Sequence, residues 1–208
     1  MVKKPDIQFP VAALPDGTHV LIQHAPREGV YSCLECARPM MVKQGERNAW
    51  HFAHYSFDFE CTPDRTMHLA TQKVFQFLLT NRSGMRVSFP CENCAGGLGV
   101  ASLAGRVPPN LRVELEDRTV CAPSVVDLSA YSGDRLRFVI EVVNTHYPSP
   151  DTRRRLETLP APVFLVKTDS TTLANHWIQA VRAGDSLSFT AFEVLNSCLL
   201  YTSPSPRD

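Results

Sequence analysis

Apolar and polar positions change period several times along the chain, and each change predicts an element. From Ile7 to Tyr31 short apolar runs are broken by Pro10, Pro15-Asp16-Gly17 and Pro26. That pattern suits small antiparallel strands with tight turns, so a β-hairpin is expected here. Met40-Met41-Val42 reads as a strand, and Gln44-Gly45-Glu46-Arg47-Asn48 as the turn after it. Thr62-Pro63-Asp64 then combines an N-cap, a proline at the first helical position and a first-turn acid. The helix it opens carries Met67, Ala70, Val74 and Leu78 on one face and stops at Asn81-Arg82-Ser83-Gly84.

Between Cys91 and Pro109 the residues are mostly Gly, Ala and Pro, which predicts a loop or irregular insert. Three strands are expected next, Leu111 to Glu116, Ser124 to Ala130 and Leu136 to Asn144, with Tyr131-Ser132-Gly133-Asp134 as the hairpin turn between the last two. The third, LRFVIEVV, is apolar nearly throughout, as a strand covered on both faces would be. Pro148 and Pro150 break the chain. Asp151 to Leu159 then reads as a helix, Val163 to Lys167 as a strand and Leu173 to Arg182 as a final helix. The expected fold class is α/β (α+β), with a β-rich N-terminal knuckle over residues 1–60 and an α/β sandwich around a mixed central sheet over 61–197.

Composition narrows this picture. The 208 residues are 44% hydrophobic, enough for a real core. Basic and acidic residues balance at 21 each, so nucleic-acid binding would need a local patch instead of a global field. Pro5, Asp6, Gln8 and Pro10 interrupt the N-terminus where an export signal needs an apolar run, and a cytoplasmic location is expected. The last eleven residues, CLLYTSPSPRD, resemble translated adapter sequence, so 198–208 is read as a non-native tail that includes Cys198.

In a reducing compartment, paired Cys-x-x-Cys units point to metal sites more than to disulfides. Cys33-x2-Cys36 and His51-x2-His54 are separated by 14 residues, which predicts a tetrahedral zinc site with two thiolates and two imidazoles. Four protein ligands leave no open position, so the zinc would be structural. A second pair, Cys91 and Cys94, has no partner pair in sequence; Cys61 and Cys121 could complete it, or the turn could be unmetallated. Trp50, Phe52 and Tyr55 could stack bases or pack over the zinc.

Asp127 in SVVDLSA and Glu141 in FVIEVVN interrupt apolar strands, and Glu114 or Glu116 lies on the strand before them. A carboxylate in such a strand is costly to bury unless it is paired or holds a cation. If the hairpin brings Asp127 and Glu141 to one end of the sheet, their oxygens suit a shared Mg²⁺. His146, at the end of the acidic strand, could carry a proton, touch a phosphate or cap the turn. Arg153-Arg154-Arg155 is the one compact basic run, facing either a DNA backbone or solvent.

The succession of CLEC, HFAH, a helix with His68 and Lys73, an Asp strand and an IEV strand resembles the CoiA-like family of competence proteins, from Tyr31 to Lys167. By that resemblance the second part belongs to the PD-(D/E)xK, restriction-endonuclease-like class. Asp127 is then the motif Asp, Glu141 the motif acid and Pro123 a displaced motif proline, and the family's helix residues map to His68 and Lys73. The resemblance implies Mg²⁺-dependent hydrolysis of DNA in uptake or recombination. Two residues past Glu141, where that motif asks for Lys, stands Val143, with Lys73 or Arg153 as possible substitutes. A non-catalytic nucleic-acid adaptor on a decayed nuclease core, or a zinc-stabilised protein-interaction module, are the alternatives.

Overall fold

Proline and glycine punctuation early in the chain does produce short strands. In the computed structural model, residues 9–47, 49–56, 60–81, 85–90, 98–102, 111–144, 147–168 and 187–196 are described. β1 (Val11–Ala13), β2 (His19–Leu21), β3 (Tyr31–Ser32), β4 (Pro39–Lys43) and β5 (His51–His54) form an antiparallel sheet in the order β2-β1-β3-β4-β5. At the β1–β2 turn the Leu14 N–H donates to the Thr18 carbonyl at 2.8 Å, and Gly17 sits at φ +81°, a left-handed conformation that glycine adopts without a Cβ penalty.

Just before β1, Phe9 exchanges both backbone hydrogen bonds with Phe52 of β5, at 3.1 and 2.7 Å. The last strand thus folds back toward the first, and the sheet curls around a small core of Phe9, Tyr31, Met40 and Phe52 with Cys33 and Cys61. Burying an aromatic side chain as completely as Phe9 or Phe52 stabilises by roughly 2–3 kcal/mol. Phe52 therefore belongs to the core, whereas its neighbours Trp50 and Tyr55 are exposed.

The chain divides into two compact units, Met1–Thr71 and Gln72–Asp208, and the division falls inside α1 (Pro63–Asn81). α1 starts as its capping residues predict, with the Arg65 N–H donating to the Thr62 hydroxyl at 3.2 Å, and Met67, Ala70, Val74 and Leu78 are all buried.

In the second unit β6 (Met85–Pro90) pairs antiparallel with β7 (Leu98–Ser102). β7 corrects the expectation of an irregular insert from Cys91 to Pro109: with β6 as a partner, LGVAS completes a ladder despite its small side chains. Then come β8 (Arg112–Asp117), β9 (Val126–Ser132), β10 (Arg135–Val143), α2 (Pro150–Leu156), β11 (Val163–Lys167), β12 (Leu187–Thr190) and β13 (Glu193–Leu195). β12 lies parallel to β6. The other five strands make a mixed sheet in the order β13-β11-β10-β9-β8, in which only β10 and β11 run parallel.

Local chemistry explains the central sheet. Gly133, at φ +60°, opens the two-residue turn that joins Ser132 to Arg135. Phe138 to Val143 are buried without interruption, as LRFVIEVV predicts for a strand between two partners. A parallel β10–β11 pair needs a crossover, and α2 lies within it, its first turn capped by Ser149, which accepts from the Thr152 N–H. The architecture is α+β, an antiparallel N-terminal sheet followed by a mixed sheet, as expected. Cys91, Cys94, His146, the helix expected at 173–182 and the 198–208 tail lie outside the described residues.

Candidate functional site

The β3–β4 connection carries the first two cysteines. The Cys33 N–H donates to the Arg38 carbonyl and the Ala37 N–H to the Cys33 carbonyl, both at 2.9 Å, which folds residues 33–38 into a tight knuckle with Ala37 at φ +59°. Register then decides which histidine can join. β4 and β5 pair Met40 with His54 and Lys43 with His51, so His54 lies beside the knuckle and His51 at the far end of the ladder. Three strand residues span about 10 Å and place the two rings on opposite faces.

The structure accordingly groups Cys33, Cys36 and His54 with Cys61, all four ligand atoms lying within 4.8 Å of one another. His54 Nε2 is 3.3 Å from Cys36 Sγ and 3.8 Å from Cys61 Sγ. His51, expected as the fourth ligand, is buried elsewhere with its Nδ1 2.7 Å from the Ala49 carbonyl. The correction has a simple cause: an x2 spacing brings two side chains together on a turn, but His51–His54 is a regular strand. Cys61, immediately before the Thr62 cap of α1, takes the vacated role. No described cysteine forms a disulfide.

Three thiols and one imidazole are a known donor set for tetrahedral zinc, and the quartet can hold a metal such as zinc. Its electrostatics follow from burial and local hydrogen bonds. Burial pushes Cys33 up and Cys61 up to about 12. At Cys36 burial also raises the thiol, but hydrogen bonds from the Arg38 N–H and the Cys61 thiol outweigh it, and the net direction is down. Burial, then the Arg38 charge, lowers His54, which keeps the imidazole in the neutral form that binds metals. These directions oppose one another within one cluster; a divalent ion would favour thiolate at all three. Arg65 holds Glu35, between the two knuckle cysteines, at 2.8 Å.

The acidic residues converge in the second unit. Ile140 pairs with Leu128, so Glu141 and Asp127 come next on the two strands and face the same side. Each carboxylate takes up an amide at the neighbouring strand end: the Asp127 N–H donates to Glu141 Oε1 at 3.3 Å, and the Val142 N–H to Asp127 Oδ2 at 2.7 Å. Glu116, not Glu114, joins them. Its left-handed backbone, φ +52° in mid-strand, breaks the alternation of β8, and Gln72 Nε2 donates to both Glu116 Oε1 (2.7 Å) and Asp127 Oδ1 (3.0 Å). Glu114 instead pairs with Arg112. The next residue, Asp117, is taken up structurally, accepting from Ser129, Tyr131 and Thr119, whose hydrogen bonds outweigh its burial and hold it down at about 2.

Glu141 is 8% exposed, and burial, followed by the charges of Asp127 and Glu116, pushes its carboxyl up to about 9. It is therefore protonated at neutral pH unless a cation joins the cluster. Val143 is buried in the packed face of the sheet with Val139, Leu165 and Leu156, so no cation comes from that position. Of the two proposed substitutes, Arg153 is committed elsewhere: its guanidinium clasps both oxygens of Glu193 and also Glu157 at 3.0 Å. Arg154 pairs with Asp151, which leaves Arg155 from the basic run. Lys73 is half-buried on α1, and His68 lies four residues before Gln72 on the same helix. No described helix is long and apolar enough to cross a membrane.

Against known proteins, residues 17–62 match the model of the competence protein CoiA, N-terminal domain. That span runs from β2 through Cys61 and so contains the whole Cys33, Cys36, His54 and Cys61 cluster. Comparison with curated proteins and with solved structures finds no match.

Proposed function

Starting from the match of residues 17–62 to the CoiA N-terminal domain, we propose that this chain acts on DNA in a competence-related process. In this reading a zinc clasp orders the first unit, and the carboxylates of Asp127, Glu141 and Glu116 bind Mg²⁺ for phosphodiester hydrolysis. The observation that carries the reading is the reciprocal placement of Asp127 and Glu141 on one face of adjacent strands, with Glu116 drawn in by Gln72. The amides that donate to these three carboxylates, the Gln72 side chain and the backbone N–H groups of Asp127 and Val142, are all neutral, and the negative charge they leave is one that a hard cation would offset. The strand order, an antiparallel hairpin, a helical crossover and a parallel strand, is consistent with the PD-(D/E)xK class.

Within the site, Asp127 and Glu141 would hold the ion, and Gln72 would keep Glu116 and Asp127 in register with each other. When bound, Mg²⁺ activates water and offsets charge on the phosphate. Asp127 is expected to be indispensable, since it alone links Gln72, the Val142 amide and, through its own N–H, Glu141. Linear DNA incubated with the protein and Mg²⁺ should be cleaved by wild type, and cleavage should fall by about 1,000-fold or more in Asp127→Asn. The buried Val143 favours a second reading, a nucleic-acid adaptor without catalysis. Binding of DNA by both proteins with cleavage by neither would select it.

A further inference from the structure

The hydrolytic reading leaves a charge unaccounted for, because a side chain at position 143 cannot provide the cation that steadies a phosphate in transit. Parallel register shows where one is available. β10 and β11 pair Glu141 with Leu165 and Val143 with Lys167, and the Thr168 N–H fixes this end by donating to the Val143 carbonyl at 2.9 Å. Directly paired residues share a sheet face, as the joint packing of Val143 and Leu165 confirms. Lys167 is therefore one strand across and two residues along from Glu141, on the same face. That is a Cα separation of about 8 Å, which a lysine arm of about 6 Å can bridge.

Three further observations single out this lysine. Lys167 is exposed, and among the described residues it forms no ion pair, unlike Arg153 and Arg154. It ends β11 at the carboxyl ends of the parallel strands, where open α/β sheets receive ligands, and Asp127 near the start of antiparallel β9 lies at that same end. Lys73 is less well placed: it follows Gln72, whose amide faces the carboxylates, so its direction is turned by about 100° around α1.

We infer that Lys167 is a catalytic residue of this site, its ammonium contacting the scissile phosphate in place of the side chain that Val143 lacks. The inference rests on the hydrolytic reading. In the step it serves, a water oxygen bonds to phosphorus, the P–O bond to the leaving alcohol breaks, the water gives a proton to solvent and the leaving oxygen takes one up. Lys167 stays protonated and donates to a non-bridging oxygen.

Single-turnover cleavage of linear DNA by the full, zinc-loaded chain tests it, with Mg²⁺ affinity and melting temperature measured alongside. Lys167→Met should cut at least about 100-fold more slowly, and Lys167→Arg should stay within about tenfold of wild type, both with Mg²⁺ binding and melting unchanged. Lys167→Met within about threefold of wild type, in a protein that Asp127→Asn inactivates, would overturn Lys167 and leave the hydrolytic reading intact. A rate loss accompanied by lost Mg²⁺ binding or lost stability would overturn it as well, as a structural effect. If wild type and Asp127→Asn alike leave DNA uncut, the hydrolytic reading fails, and the role of Lys167 with it.

Discussion

Replacing Cys61 with serine is expected to strip the first unit of its zinc and with it most of its cooperative stability. The thiol sits in the small core with Phe9, Met40 and Phe52, so a metal held there and the apolar cluster would order the same residues. Structural zinc contributes about 10–16 kcal/mol in isolated zinc-finger peptides, more than such short strands can offset by packing. Losing one ligand should lower zinc affinity by more than the roughly 10–100-fold that outer-shell changes cost. His51→Asn is the informative contrast. It should keep one zinc per chain and lose only about 1–2 kcal/mol, because that ring makes a buried hydrogen bond to Ala49 and lies outside the cluster of Cys33, Cys36, His54 and Cys61. Metal content after dialysis, read with the urea midpoint of each variant, separates the two. Zinc retained in Cys61→Ser but lost in His51→Asn would return the site to the two-Cys, two-His arrangement.

That reversal of ligands marks where the sequence stops being legible. The knuckle cysteines could be read because a Cys-x-x-Cys turn is local: its hydrogen bonds stay within residues 33–38. The fourth ligand could not, because it depends on the β4–β5 register, and that register follows from the pairing of Met40 with His54. The sequence offered Cys61 only as a partner for Cys91 and Cys94, whereas the fold groups it with Cys33, Cys36 and His54. The hairpin that brings Asp127 beside Glu141 was readable for the same reason as the knuckle, Gly133 announcing a two-residue turn. Glu116 was not separable from Glu114, since alternation places both on one face and the left-handed backbone at Glu116 that sets them apart is not written in the pattern. The short β7 was read as loop because its pairing with β6 is non-local and its residues are small. Lys167 lay in a correctly read strand, yet its relation to Glu141 exists only through the parallel register of β10 and β11.

Glu141→Gln should stabilise the protein while abolishing Mg²⁺-dependent cleavage. The folded state holds this carboxyl up at about 9, from an ordinary value of 4.5, chiefly by burial and then by Asp127 and Glu116. A group with a raised folded pKa contributes stability that is complete below its unfolded value and is lost as pH climbs through the folded one. For Glu141 the loss runs from about pH 4.5 to about pH 9, at roughly 1.4 kcal/mol per pH unit. By pH 7 the wild-type side chain therefore costs about 3 kcal/mol relative to a neutral one. Glutamine keeps the oxygen that accepts the Asp127 N–H and removes the titration. In Mg²⁺-free buffer the variant should match wild type near pH 4.5 and gain by about 2–3 kcal/mol at pH 7, read as a widening gap in urea midpoints. A gap that stays constant with pH would mean Glu141 is not held neutral by its surroundings. An acid held ionised by its partners, such as Asp117, would lose stability when neutralised; stability gained together with activity lost instead marks a buried carboxylate whose function its neutral amide cannot serve.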